Sequence, residues 1–152
     1  MTDRHGGQEE YVFEKIKFIE RYQQLSAKYE FDAKDSFENY ESSQVITIMN
    51  ELGYKPSFNK KEQFFKIIEK QNHYKFQFVI SLRYGAAELI WSVWKHAELT
   101  VGGSWGIIKK QLDGLENGQV RKPVFRNYEE LKALLADVFL VYEDFKREYM
   151  HE

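Results

Sequence analysis

His96 is the side chain best placed by type to do chemistry. It lies in "AELIWSVWKHAELTVGGSWG", residues 87–106, a stretch that holds all three tryptophans of the chain together with Glu88, Glu98 and a run of glycines. An imidazole between two carboxylates can act as a general acid or base. Glu88 and Glu98 are ten residues apart along the chain, however, so such a cluster closes only if the chain folds back near His96. The other histidines offer less: His5 and His151 lie at the termini, and His73 falls in "QNH", which reads as a turn. No two histidines have metal-ligand helical spacing, and no G-x-S-x-G elbow surrounds any serine. A Ser/His/Asp triad drawn from distant positions stays open, because its members need not be close in sequence. The chain has no cysteine, which removes thiol catalysis, disulfides and thiolate metal sites. No catalytic, cofactor-binding or metal-binding residue is assigned, and no cofactor is expected.

Two further patterns could bind a charged ligand. The first is "GGSWG", where a helix starting after Ser104 would direct free backbone N–H groups at an anion. The full glycine, lysine and Ser/Thr spacing of a phosphate loop is absent, and turn chemistry alone accounts for the glycines. The second is an uneven charge distribution. The chain has a net charge of −2, yet residues 61–112 carry 8 basic and 4 acidic side chains while both flanks are acidic. The basic middle contains Lys66, Lys70, Lys75, Arg83, Lys95, Lys109 and Lys110 among aromatics, which superficially suits single-stranded nucleic acid. Against that reading, the best aromatics alternate inward, and lysines on the water-facing side of a half-buried sheet are ordinary.

These residues are positioned by elements that the hydrophobic period makes visible. In "HYKFQFVISLRY", Tyr74, Phe76, Phe78, Ile80, Leu82 and Tyr84 alternate with Lys75, Gln77, Val79, Ser81 and Arg83, which predicts a strand. The preceding "EQFFKIIEKQ" is rich in strand formers and forms a hairpin with it; a helix is the alternative for that segment. After Gly85, Leu89, Trp91 and Val93 alternate with Glu88, Ile90, Ser92 and Trp94. "TVGGS" reads as a turn into a short helix capped by Ser104, with Trp105, Ile108 and Leu112 on one side and Gly114 at its end.

Helical period flanks this β region. "EEYVFEKIKFIERYQQLSAKYEF" predicts one helix with two adjoining stripes: Val12, Ile16 and Ile19, and Phe18, Tyr22, Leu25 and Tyr29. A second helix carries Val45, Ile48, Met49 and Leu52, with Asp35 or Ser36 as its N-terminal cap and Gly53 as its exit. "FDAKDSFENYESS" between them is partly helical at most. "DGLENGQVRKPVF" reads as an exposed loop with a short strand near Val124 and Phe125. Asn127 followed by Glu130 forms a capping box for a helix from about Tyr128 to about Tyr149, whose stripe runs through Leu131, Leu134, Leu135, Val138, Val141, Tyr142, Phe145 and Tyr149.

The expected architecture is a single α+β domain over residues 1–152, with residues 1–8 flexible: N-terminal helices, an antiparallel meander, a short helix and a closing helix packed on the sheet. A composition of 43% apolar, 16% aromatic and 30% charged residues agrees with one packed core. There is no signal-like or membrane-spanning apolar run, so the cytoplasm is the expected default location and no membrane partner is expected.

The N-terminal helices, the meander bearing "ELIWSVW", the segment "GGSWGIIKKQLDG" and the ending "KPVFRNYEELKALLADVFLVYEDFKREY" resemble, from about Tyr11 onward, the small immunity proteins of bacterial polymorphic-toxin systems. The resemblance implies a non-catalytic protein that neutralises a cognate toxin by direct binding, and it carries no functional residue across. The oligomeric state is not assigned. If the strand alternation holds, Arg83, Glu88, Ser92, Trp94 and His96 share or border the face opposite the closing helix and are the candidates for binding another protein. Two alternatives remain: a small enzyme or ligand-binding domain with a pocket near His96, and a nucleic-acid-binding module. Trp94 decides between an exposed anchor and a side chain buried under the loop at 114–123.

Overall fold

The computed structural model describes residues 10–114 and 118–151; the flexible terminus expected at 1–8 lies outside them. Period-two alternation produces a five-stranded antiparallel meander, β1 (Ser57–Asn59), β2 (Phe64–Gln71), β3 (Tyr74–Ser81), β4 (Glu88–Lys95) and β5 (Glu98–Ser104), with spatial order equal to chain order. One face of β3 is fully buried, the matching face of β4 is buried from Leu89 to Val93, and Phe78 lies directly opposite Trp91 in the register. β2 is a strand and not the alternative helix, contributing Phe65 and Ile67 to that same face.

Helices form a second layer over this face: α1 (Phe18–Lys28), α2 (Ser42–Glu51), α3 (Trp105–Asp113) and α4 (Tyr128–Met150). Every residue of the expected α4 stripe is buried. Its start is capped as the sequence implies, with Asn127 Oδ1 accepting the Glu130 N–H at 2.8 Å. Glu130 departs from a reciprocal box by accepting from the Arg126 N–H, not that of Asn127. Phe145 stacks on Trp91 with centroids 4.3 Å apart, and Tyr142 meets Phe78 at 4.9 Å. Burial pushes the Tyr142 phenol well up, with the nearby Glu69 carboxylate acting in the same direction. Ion pairs seal the edges of the helix layer: Arg21 to Asp144 and Lys28 to Asp137 join α1 to α4, and Lys146 reaches Glu69 on β2.

Five local features differ from the sequence expectation. The strand expected to include Tyr84 ends at Ser81, leaving Tyr84 exposed in a 3-10 turn. The N-terminal helix is broken: residues 10–15 are helical, Lys17 takes a left-handed φ of 57°, and α1 begins at Phe18. The break resolves the two adjoining stripes, because Val12 and Ile16 belong to one helical phase and Phe18, Tyr22 and Leu25 to another, and a single straight helix cannot bury both. Neither Asp35 nor Ser36 caps α2, which starts at Ser42 after extended Glu41; the linker supplies one 3-10 turn, Ala33–Asp35. "TVGGS" is strand β5 and not a turn, its glycines lying opposite Ser92 and Trp91. The expected short strand near Val124 is reduced to a single bridge with Ala86.

That bridge belongs to a crossing of three distant segments. Val124 N–H donates to Tyr29, Phe125 N–H to Gly85, and Phe37 N–H to Phe125. Gly85 takes a φ of +71°, and a Cβ there would lie 2.5 Å from Ser36 Cβ. Glycine is required by both conformation and space.

Candidate functional site

The face of the sheet turned away from the helices is uncovered among the described residues. Cross-strand register orders it in rows: Phe64, Ser81 and Glu88; Lys66, Val79, Ile90 and Ser104; Ile68, Gln77, Ser92 and Gly102; Lys70, Lys75, Trp94 and Leu99. Ile68 and Leu99 are 44% and 55% exposed. Trp94 is half-buried, and Lys75 Nζ lies 4.6 Å from its ring centroid, a cation–π contact.

A β-bulge sets this last row. The register shifts between Val93 and Trp94, so that Trp94 pairs with Leu99. The extra residue, Thr100, donates to the Val93 carbonyl and meets the Tyr149 hydroxyl of α4. A bulge re-aims side chains on its strand, and here it turns Thr100 to the helix layer and Leu99 outward.

The five candidates from the sequence do not form one cluster. Glu88, Ser92 and Trp94 share the outer face on β4. Arg83 lies past the end of β3 in a 3-10 turn, and His96 lies beyond the opposite end of β4. Glu88 pairs with Lys122 at 3.7 Å. Six residues of strand separate Glu88 from Trp94, roughly 20 Å. The acid/base grouping of His96 with Glu88 therefore does not assemble, whereas Glu98 stands close in sequence, opposite Lys95. Ser104 Oγ accepts the Ile107 N–H at 3.2 Å, so the start of α3 is capped by its own chain. Lys109, counted in the basic middle, is buried against Asp113 and the Gly118 carbonyl.

The sequence reading missed the partner of His96. The β4–β5 turn consists of His96 and Ala97, both with positive φ, as a two-residue hairpin of this hand requires. It lies beside the β2–β3 turn: His96 N–H donates to the His73 carbonyl at 2.9 Å, and the two imidazoles stack with centroids 4.1 Å apart and planes 3° from parallel. Local desolvation, then the His96 and Lys95 charges, hold the His73 imidazole below its ordinary range. Beside the pair is an open concavity of about 450 Å³, lined among others by Lys70, Asn72, Lys75 and Trp94. The β2–β3 turn is legible in "QNH", whereas the β4–β5 turn is expected from the sequence later, at "TVGGS"; the adjacency of the two turns depends on strand order, which no local pattern encodes.

Among the described residues no group of three or more His, Cys, Asp or Glu side chains could hold a metal ion, and no helix is long and apolar enough to cross a membrane. The class is α+β, a helix layer on one face of an antiparallel meander. No protein-family model, curated protein or solved structure matches the chain.

Proposed function

We propose that this chain is a non-catalytic binding protein that recognises another protein through the outer face of its sheet, and that its partner is a bacterial toxin, as the resemblance to immunity proteins implies. One observation carries the reading: Ile68, Val79, Ile90, Trp94 and Leu99 lie on a sheet face that no helix covers among the described residues, bordered by lysines. An apolar centre with a charged rim is the composition of a recognition surface. Tryptophan contributes a large contact area at low conformational cost, and flanking charges select the partner. Neutralisation then proceeds by occlusion, in the cytoplasm of the producing cell.

The concavity beside His96 supports a second reading, a small-ligand site, in which the stacked imidazoles would serve as donors. Nucleic acid is less well supported, because Phe76, Phe78 and Trp91 face the core and, among the described residues, the outer face of β2–β4 offers Phe64 and Trp94 alone for stacking.

Co-expression with any toxin-like domain found encoded beside its gene tests the first reading, with growth and calorimetric affinity as readouts. The wild-type chain restores growth. Trp94→Ala combined with Leu99→Asp abolishes protection and weakens affinity by about a hundredfold, the loss of one aromatic anchor, while the protein stays folded. Full protection by a folded double variant would falsify the outer-face assignment.

A further inference from the structure

The row that ends the outer face is electrostatically unfinished. Lys70 and Lys75 are direct cross-strand partners, an arrangement in which like charges repel. Among the described residues no carboxylate lies within ion-pair distance of either lysine, although Lys15, Lys28, Lys132 and Lys146 each have one. Lys75 is instead held over the Trp94 ring. The His73 and His96 pair stands beside these two lysines at the same concavity, and none of the residues lining it is acidic. Lys95 adds a positive charge from β4, with its Nζ 5.9 Å from the Tyr74 ring. Glu98 on β5 is the carboxylate nearest in sequence, and the register places it opposite Lys95, not in the lysine row.

We propose that this hairpin-end concavity seats an acidic segment of the partner polypeptide, its carboxylates received by Lys70, Lys75 and the two imidazoles. The proposal rests on the protein-binding reading above and names the chemistry of the partner. Charge complementarity is the argument: the chain as a whole is at −2, so a general attraction for acidic protein is absent and a local concentration of unpaired cations must supply it. The concavity is open and shares Lys70, Lys75 and Trp94 with the outer face, which suits a protruding loop continuous with a larger contact. A proton taken up by His73 adds charge beside the lysines, so affinity rises as pH falls; local desolvation, then the His96 and Lys95 charges, oppose that uptake.

A capped hexaglutamate peptide is the probe, titrated into the full chain while NMR follows the His73 and His96 ring C–H signals and the Trp94 indole N–H. The expected result is a saturable shift at all three, a loss of about tenfold in affinity in Lys70→Ala/Lys75→Ala, and a comparable loss on raising salt from about 0.05 to 0.5 M, where screening shortens to a few ångströms. Hexalysine should leave the signals in place. The double variant should melt close to the wild type, because removing the repulsive pair offsets the lost cation–π contact with Trp94, which separates lost binding from lost folding. Unmoved signals, or equal shifts in the double variant, overturn the proposal. Saturation by inorganic phosphate without response to hexaglutamate also overturns it, by making the site one for a small oxyanion. If hexaglutamate binds as described but co-expression with the toxin gives no protection, the toxin assignment fails and the acidic-segment site stands.

Discussion

The two faces of the sheet are made by the same strands and obey opposite rules. On the helix side, Phe76, Phe78, Trp91 and Val93 are sealed, and the charged groups around them have partners in the helix layer. On the other side, neighbouring residues of those strands leave lysines unpaired and apolar side chains in water. A sheet needs only one buried face to be stable, so the second is free to be shaped by what it meets. The difference teaches where to look for function: in the face whose chemistry folding does not complete.

Substitutions at adjacent positions of β3 test that contrast most strongly. Phe78→Ala should cost about 3–5 kcal/mol in denaturant unfolding, the range for truncating a buried phenylalanine, whereas Gln77→Ala should cost under about 0.5 kcal/mol. Similar losses at both sites would mean that the outer face is covered after all. At the rim of the core, Gly85→Ala should destabilise by about 2–3 kcal/mol, because its methyl meets Ser36 and its backbone is left-handed. An unchanged melt would show that the three-segment crossing gives way easily.

The smallest effect belongs to the turns at the end of the outer face. His73 is held below the ordinary imidazole value of 6.5 when folded, so the unfolded chain binds its proton first as pH falls. Its contribution to stability is complete above about 6.5 and is lost as the pH drops below that value through the folded pKa. Replacing His73 with Gln should flatten this part of the stability profile, measured by melts between pH 7.5 and pH 5 in steps of about 0.5. An unaltered profile would separate the imidazole pair from the turn's acid response.

Much of this fold is written in local periodicity. The alternation in β3 and β4 and the stripe of α4 place nearly the entire core, because period two and period 3.6 are direct records of which side is buried. The break at Lys17 was present only as two stripes out of phase, and β5 was masked by glycines that read as a turn although they lie in a strand. The candidate surface was half legible. Glu88, Ser92 and Trp94 follow from alternation alone, whereas Leu99 depends on a bulge. His73 depends on the nesting of two hairpin turns from different parts of the chain, for which sequence spacing gives no signal.

The chain order of sheet and closing helix also bears on how the protein is made. Strand order equals sequence order, so the meander can assemble from neighbouring hairpins as soon as each is synthesised. Its aromatic face, by contrast, waits for α4, which begins at Tyr128, 24 residues after the last strand ends at Ser104. At ribosomal rates of roughly 5–20 residues per second, Phe76, Phe78 and Trp91 stay without their main cover for a time on the order of seconds. During that interval the nascent chain is a natural client for chaperones that hold exposed aromatic surface, and its vulnerability to aggregation is set by the timing of one helix.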